Sequence, residues 1–186
     1  MNEGNFEEKI TKWVKNGGTW VVGPLSDIRT EIGTKFKDSP YGFLEKLTGA
    51  YQLYNMPDDN NSFVCENELG ETVKCSKSFE VFEDMGKNNL ITITKGHSSV
   101  VNKPCALNIN VGKGKVIILG TFPEEKELRR IISNAVTENN GDKYDITGGL
   151  VVVKRVGEKL NGLMVSDILG DGGTFRFNGK MKDILT

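Results

Sequence analysis

The pattern of apolar and polar positions changes character along the chain. Helix and strand periods alternate before about residue 137, and strand periods stand alone after about residue 144. Phe6, Ile10, Trp13 and Val14 fall at i, i+4, i+7 and i+8, which is one face of a helix predicted over Asn5 to Lys15. Glu7 and Glu8 sit in its first turn and Lys12 and Lys15 in its last, as the helix dipole favours. Asn16, Gly17 and Gly18 tolerate left-handed backbone angles and stop it. Thr19 to Val22 is β-branched and aromatic without charge, as a strand covered on both faces would be, and Gly23-Pro24 breaks it. Helix, tight turn, strand and loop make one step of a layered α/β sheet. Ligands of such sheets meet the loops at the carboxyl ends of the strands. The loop from Gly23 to Arg29 is therefore the first place to seek chemistry. It offers Ser26, Asp27 and Arg29, with no Cys or His beside them.

Further on, Ser26 to Ser39 reads as polar and irregular, and Gly42 to Leu47 as a second helix ended by Thr48-Gly49. Tyr51, Leu53 and Tyr54 suggest a short strand, and Met56 to Asn61 a turn or loop. Strands are predicted over Ser62 to Cys65, Glu71 to Phe82 (its alternation broken once, as by a bulge) and Leu90 to Thr94. Cys105 to Val111 and Lys115 to Leu119 flank Gly112-Lys113-Gly114, the clearest hairpin of the chain. Pro123 suits the first position of a helix over Glu124 to Val136, with Leu128, Ile131, Ile132 and Ala135 as its buried stripe. Thr137 to Lys143 is a polar boundary. Beyond it, Gly149 to Val156, Gly162 to Leu169 and Thr174 to Phe177 read as strands, with Asn161-Gly162, Asp171-Gly172-Gly173 and Asn178-Gly179 as hairpin turns. Two domains follow, residues 1–137 and residues 144–186.

Composition narrows the classes. The 186 residues are 37% apolar and 26% charged, with a formal net charge of -1, so no electrostatic case exists for nucleic acid or an anionic membrane. No apolar run approaches a membrane span. The start, MNEGNFEEK, is acidic and without an apolar core, so no signal peptide is expected and the cytoplasm is the expected compartment. Cys65, Cys75 and Cys105 are odd in number and lack metal spacing, and they read as reduced thiols in strands or loops.

Several phrases carry a family resemblance. KWVKNGGTWVVGPLSDIRTE, DSPYGFLEKLTGAY and NKPCALNINVGKGKVIILGTFPEEKELRRII resemble the middle domain of the family 42 glycoside hydrolases, the β-galactosidases. The residues after about Tyr144 resemble the small β domain that ends those enzymes. The resemblance implies a fold class: part of a class I glutamine amidotransferase-like (flavodoxin-like) layered α/β sheet, incomplete at its N-terminus, followed by a small antiparallel β domain. It also implies a role, oligomerisation and support within an enzyme that hydrolyses terminal β-galactosides with retention. The family's catalytic (β/α)8 barrel is expected to precede this region, so the chain alone is expected to be inactive.

The residues agree. A retaining glycosidase needs two carboxyls about 5–5.5 Å apart. Glu66, Glu68, Glu71, Glu80 and Glu83 follow no motif of the family's pair and read as a solvated strand face. Cys chemistry needs a thiol on a sharp turn beside a His; His97, the one histidine, reads as a surface loop residue, and no cysteine has the flanking glycines. Gly112-Lys113-Gly114-Lys115 lacks phosphate-loop spacing. No catalytic, cofactor or metal residue is therefore assigned. Trp13 and Trp20 read as core. Tyr41, Tyr51 and Tyr54 are freer, and are candidates for an interface or a galactoside contact. Two alternatives stay open: a free-standing carbohydrate- or protein-binding module, and an amidotransferase-like enzyme. A sheet missing strands exposes an edge, so self-association as a dimer or trimer is expected, or association with the missing barrel.

Overall fold

The computed structural model describes residues 6–27, 42–58, 62–138, 145–148, 150–156, 161–167, 170 and 172–176. The chain divides into two compact units, Met1–Asn139 and Asn140–Thr186. In the first, α1 (Phe6–Lys15) leads into β1 (Thr19–Val22); α2 (Phe43–Thr48), β2 (Gln52–Asp58), β3 (Val64–Asn67), β4 (Thr72–Val73), β5 (Cys75–Phe82) and β6 (Asn89–Lys95) follow. The hairpin β7 (Pro104–Val111) and β8 (Gly114–Leu119), the short β9 (Phe122–Pro123) and α3 (Glu125–Glu138) close the unit.

Six strands form one sheet in the order β1-β8-β7-β6-β3-β4, and three form another in the order β2-β5-β9. Among the described pairings only β1 with β8 is parallel, in the register Val22↔Ile118. The architecture is mixed α/β, with most of its ladders antiparallel. Alternation splits the core into two layers. Val116 and Ile118 of β8 join Val14 of α1, Leu44 of α2 and Val22, Leu107 and Ile109 on one face. Ile117 and Leu119 join Phe79 and Val81 of β5, Ile91, Ile93, and Ile131 and Ala135 of α3 on the other.

The two strongest sequence signals meet in space. The backbone N–H of Lys113, in the β7–β8 turn, donates to the carbonyl of Lys15 at the end of α1 (3.0 Å), and that of Lys115 donates to Gly18 (3.1 Å). Gly114 is required there: a Cβ would collide with the carbonyl oxygens of Val14 and Gly18.

Several expectations are corrected. Trp13 is 49% exposed, because its indole lies over Gly18 at the helix end instead of entering the core. Trp20 is half-buried, between Phe6 (6.3 Å) and Phe43 (6.0 Å). Val21 is exposed, so β1 is not covered on both faces; among the described residues it has one strand neighbour, β8. Ile132 is exposed and lies off the buried stripe, which Ile131 and Ala135 hold with half-buried Leu128. The segment from Met56 to Asp58 is not a loop but continues β2, with Pro57 tolerated because β2 is an edge. The run Glu71 to Phe82 divides at Lys74: β4 pairs with β3, and β5 pairs with β2 and β9. Pro123 pairs with Cys75 in β9 and does not open α3.

In the second unit, β10 (Asp145–Ile146) pairs with β13 (Phe175–Arg176), and β11 (Leu150–Val156) pairs with β12 (Asn161–Asp167), all antiparallel. Asn161-Gly162 is not a turn; it opens β12, opposite Val156 and Arg155. The Asp167 carboxylate organises the following loop by accepting the N–H groups of Gly170 (2.9 Å) and Gly172 (2.8 Å). Phe177 and Asn178-Gly179 lie outside the described residues.

Candidate functional site

The loop after β1 opens at the carboxyl end of the parallel pair, where Gly23 and Ile118 line a small recess open to solvent. Ser26, Asp27, Gly42, Glu45, Gln52, Glu80 and Phe82 also line it. Among the described residues, three of those lining it are acidic.

Two carboxyls shape this loop. Glu80 is 3% exposed, within a run of four buried residues that ends β5. Its Oε2 accepts the backbone N–H of Leu25 at 3.0 Å. Asp27 Oδ2 accepts the N–H of Leu44 at 2.7 Å and so caps α2 from a distance, since Gly42 at the N-cap has no side chain to do so. Gly42 is needed for that contact, because a Cβ would collide with the Asp27 carboxyl. Leu25 (φ 62°) and Asp27 (φ 57°) both adopt the left-handed region, which is uncommon for residues other than glycine. Such angles persist where surrounding contacts over-determine them, and these two bonds are such contacts. Burial pushes the Glu80 carboxyl up to about 7. Burial also raises Asp27 above the ordinary carboxylate value, against the lowering effect of the Leu44 N–H.

Glu80 is thus a correction: it leaves the solvated strand face on which Glu68, Glu71 and Glu83 remain exposed and Glu66 half-exposed. A charged residue inside Phe79-Glu80-Val81-Phe82 was the signal that could have marked it. Ser26 and Asp27 do reach the recess, as the strand-end rule predicts. Arg29 and Tyr41 lie outside the described residues. Tyr51 is half-buried before β2, and Tyr54 is exposed on that strand.

Cys65, Cys75 and Cys105 are reduced, buried and in strands. The Cys105 thiol is pushed well up, first by hydrogen bonding to Cys65 and Cys75 and then by burial, the opposite of an activated nucleophile. His97 is exposed in a turn, its Nδ1 bonded to the Ser99 hydroxyl at 2.8 Å. Among the described residues no three His, Cys, Asp or Glu side chains are placed to hold a metal ion, and no helix is long and apolar enough to cross a membrane.

A second polar cluster is a clamp. Arg130 of α3 makes two bonds to Glu68 (2.7 and 2.9 Å) and two to Glu127 (2.6 and 2.8 Å), and Glu127 also meets Asn67 at 3.4 Å. It ties α3 to the β3–β4 turn. Arg130 holds the Glu127 carboxyl below its usual range.

Comparison with known proteins places this geometry. Residues 1–140 match the model of the β-galactosidase trimerisation domain. The chain is 32% identical over 187 residues to a Bacillus licheniformis protein named β-galactosidase YesZ, covering 97% of this chain and 28% of that protein. It is 30% identical to the Bacillus subtilis protein of the same name, again over 28% of its length. The chain thus spans little more than a quarter of these relatives. Among solved structures it is similar to Gan42B, a family 42 β-galactosidase (TM-score 0.73, 15% identity, 97% of this chain and 26% of that one). It is also similar to a Bacillus circulans β-galactosidase (TM-score 0.70, 18% identity, 88% of this chain and 25% of that one). These two similarities concern the fold. The chain belongs to the β-galactosidase trimerisation domain family.

Proposed function

We propose that the chain is a non-catalytic assembly and support region of a family 42-type β-galactosidase, acting through self-association as a dimer or trimer. The family match over residues 1–140 carries this reading. Retaining hydrolysis of terminal β-galactosides belongs, on this reading, to the whole enzyme and not to this chain. Strand β1 supports it: among the described residues it has one neighbour, and Val21 is 37% and Leu25 46% exposed beside it. A sheet edge beside apolar side chains favours pairing with another strand. Tyr51 and Tyr54 are offered as further interface positions, with Tyr41 beside them in sequence. The second unit is read as the family's small C-terminal β domain. The helix-to-strand step α1–β1 and the parallel pair β1–β8 support reading the first as part of an amidotransferase-like sheet. Free thiols suit a reducing compartment, and the cytoplasm is proposed.

Light scattering tests the reading. A native mass two or three times 20.5 kDa, lowered by Val21→Lys, is the expected result. A monomer at all concentrations overturns it. Release of a chromogenic group from a β-galactoside by the purified chain would overturn the non-catalytic assignment.

A further inference from the structure

We propose that the turn after β1 is a docking element for a second copy of this chain, with the Leu25 side chain as its apolar contact and Glu80 as the residue that positions it. The inference deepens the assembly reading above and rests on it.

The backbone of Leu25 carries the inference. Among the described residues, four other than glycine adopt a positive φ: Leu25, Asp27, Lys77 and Asn102. Two of them fall within this one turn. Asp and Asn enter the left-handed region with the help of short polar side chains, and a leucine has no such help. Glycine or asparagine would meet a φ of 62° at less cost. The fold nevertheless holds Leu25 there. Glu80, 3% exposed on β5, accepts the Leu25 N–H at 3.0 Å. Two residues on, Asp27 accepts the Leu44 N–H at 2.7 Å and ties the end of the turn to α2.

Packing within the chain does not account for the choice of leucine. Its side chain is 46% exposed, and Val21, four residues before it on β1, is 37% exposed. Backbone strain that surrounding contacts hold in place clusters at functional positions. The function open to an apolar, half-exposed side chain is burial against another surface. A turn fixed in advance loses little conformational freedom on docking, so the contact keeps more of what its burial contributes. Family membership selects the partner. The chain belongs to a trimerisation domain family, and interfaces between permanently joined identical subunits are the more hydrophobic class.

Light scattering of the full chain across a dilution series is the test, beside urea unfolding at a dilution where each variant is monomeric. The wild-type mass should rise with concentration towards two or three times 20.5 kDa. Leu25→Asn suits the left-handed angle and removes the apolar contact. It should raise the concentration of half-association at least about tenfold while its urea midpoint stays close to that of the wild-type chain. Glu80→Met removes the acceptor of the Leu25 N–H and should weaken association by a similar factor, whereas Glu80→Gln keeps an acceptor and should restore it. The Leu25→Asn comparison holds even if Glu80→Met misfolds. Leu25→Asn associating as the wild-type chain does overturns the inference, and if Val21→Lys still lowers the mass, the assembly reading stands without it. A Leu25→Asn chain that unfolds early also overturns it, because the side chain would then serve its own fold. So does Glu80→Met associating as tightly as Glu80→Gln. A wild-type monomer at every concentration overturns this inference and the assembly reading together.

Discussion

Glu80 Oε2 accepts the backbone N–H of Leu25 at 3.0 Å across 55 positions of sequence, and so holds Leu25 at a φ of 62°. A buried acid thereby sets the shape of the loop at the end of β1, one strand of the parallel pair β1–β8. Its carboxyl, pushed up to about 7 by burial from an ordinary 4.5, makes stability depend on pH. The folded pKa lies above the unfolded one, so the unfolded chain releases this proton first. The group's contribution is full below about pH 4.5 and is lost as pH rises through 7, on the order of 3 kcal/mol in all. Glu80→Gln should flatten the stability profile between pH 5 and pH 8 and be more stable than the wild-type chain at pH 8. Urea unfolding across that range decides it; parallel profiles would show that Glu80 does not titrate in this window.

The contact between the β7–β8 turn and the end of α1 should be intolerant of side chains. Gly114→Ala puts a Cβ into the carbonyl oxygens of Val14 and Gly18, which are backbone and cannot swing away. A loss of more than about 2 kcal/mol is expected. Gly23→Ala meets nothing within 4 Å and should stay within about 0.5 kcal/mol. Chemical denaturation of the two variants makes the comparison; equal losses would mean the turn does not pack as described.

Arg130 should matter and Arg129 should not. Arg130→Met leaves the 5%-exposed Glu127 without its cation, at a cost of about 2 kcal/mol, and Arg130→Lys cannot restore the two-toothed bond to Glu68. Arg129 pairs with Glu125 where both side chains are mostly exposed (69% and 76%), so Arg129→Met should cost under about 0.5 kcal/mol. A double cycle of Arg130→Met with Glu127→Gln should be markedly less than additive, measured by urea midpoints.

The three cysteines should be silent towards a thiol reagent until the chain unfolds. Cys65 and Cys105 are 0% and Cys75 is 8% exposed, and the Cys105 thiol resists ionisation. Three thiols should label in denaturant and none in native buffer. One fast native thiol would reopen the amidotransferase-like alternative.

Local chemistry made most elements legible. α1, β1, the β7–β8 hairpin and α3 lie within a residue or two of the spans that periodicity and turn residues predict. So do β11 and β12. What failed was judgement at edges. Pro57 and Val21 were misread because pattern cannot say which strand has one neighbour and which has two. Trp13 was misplaced because the end of α1 is covered by a backbone turn 100 residues away, leaving the indole only Gly18 to lie on. The strand-end loop was found by rule and its residues Ser26 and Asp27 reach the recess, but the acid that completes it is on β5.

By itself the sequence determined the alternation of helix and strand, the polar boundary near residue 140 and the phrases that mark the family. These depend on neighbours within a few residues, where backbone preference and side-chain period act directly. The tertiary structure alone decided that Glu80 is buried beneath Leu25, that Asp27 caps α2, and that three cysteines from three strands share one core. Those outcomes depend on which strands lie side by side. Phe79, Val81 and Phe82 around Glu80 hint at burial, but only the chain folded over its carboxyl removes the water.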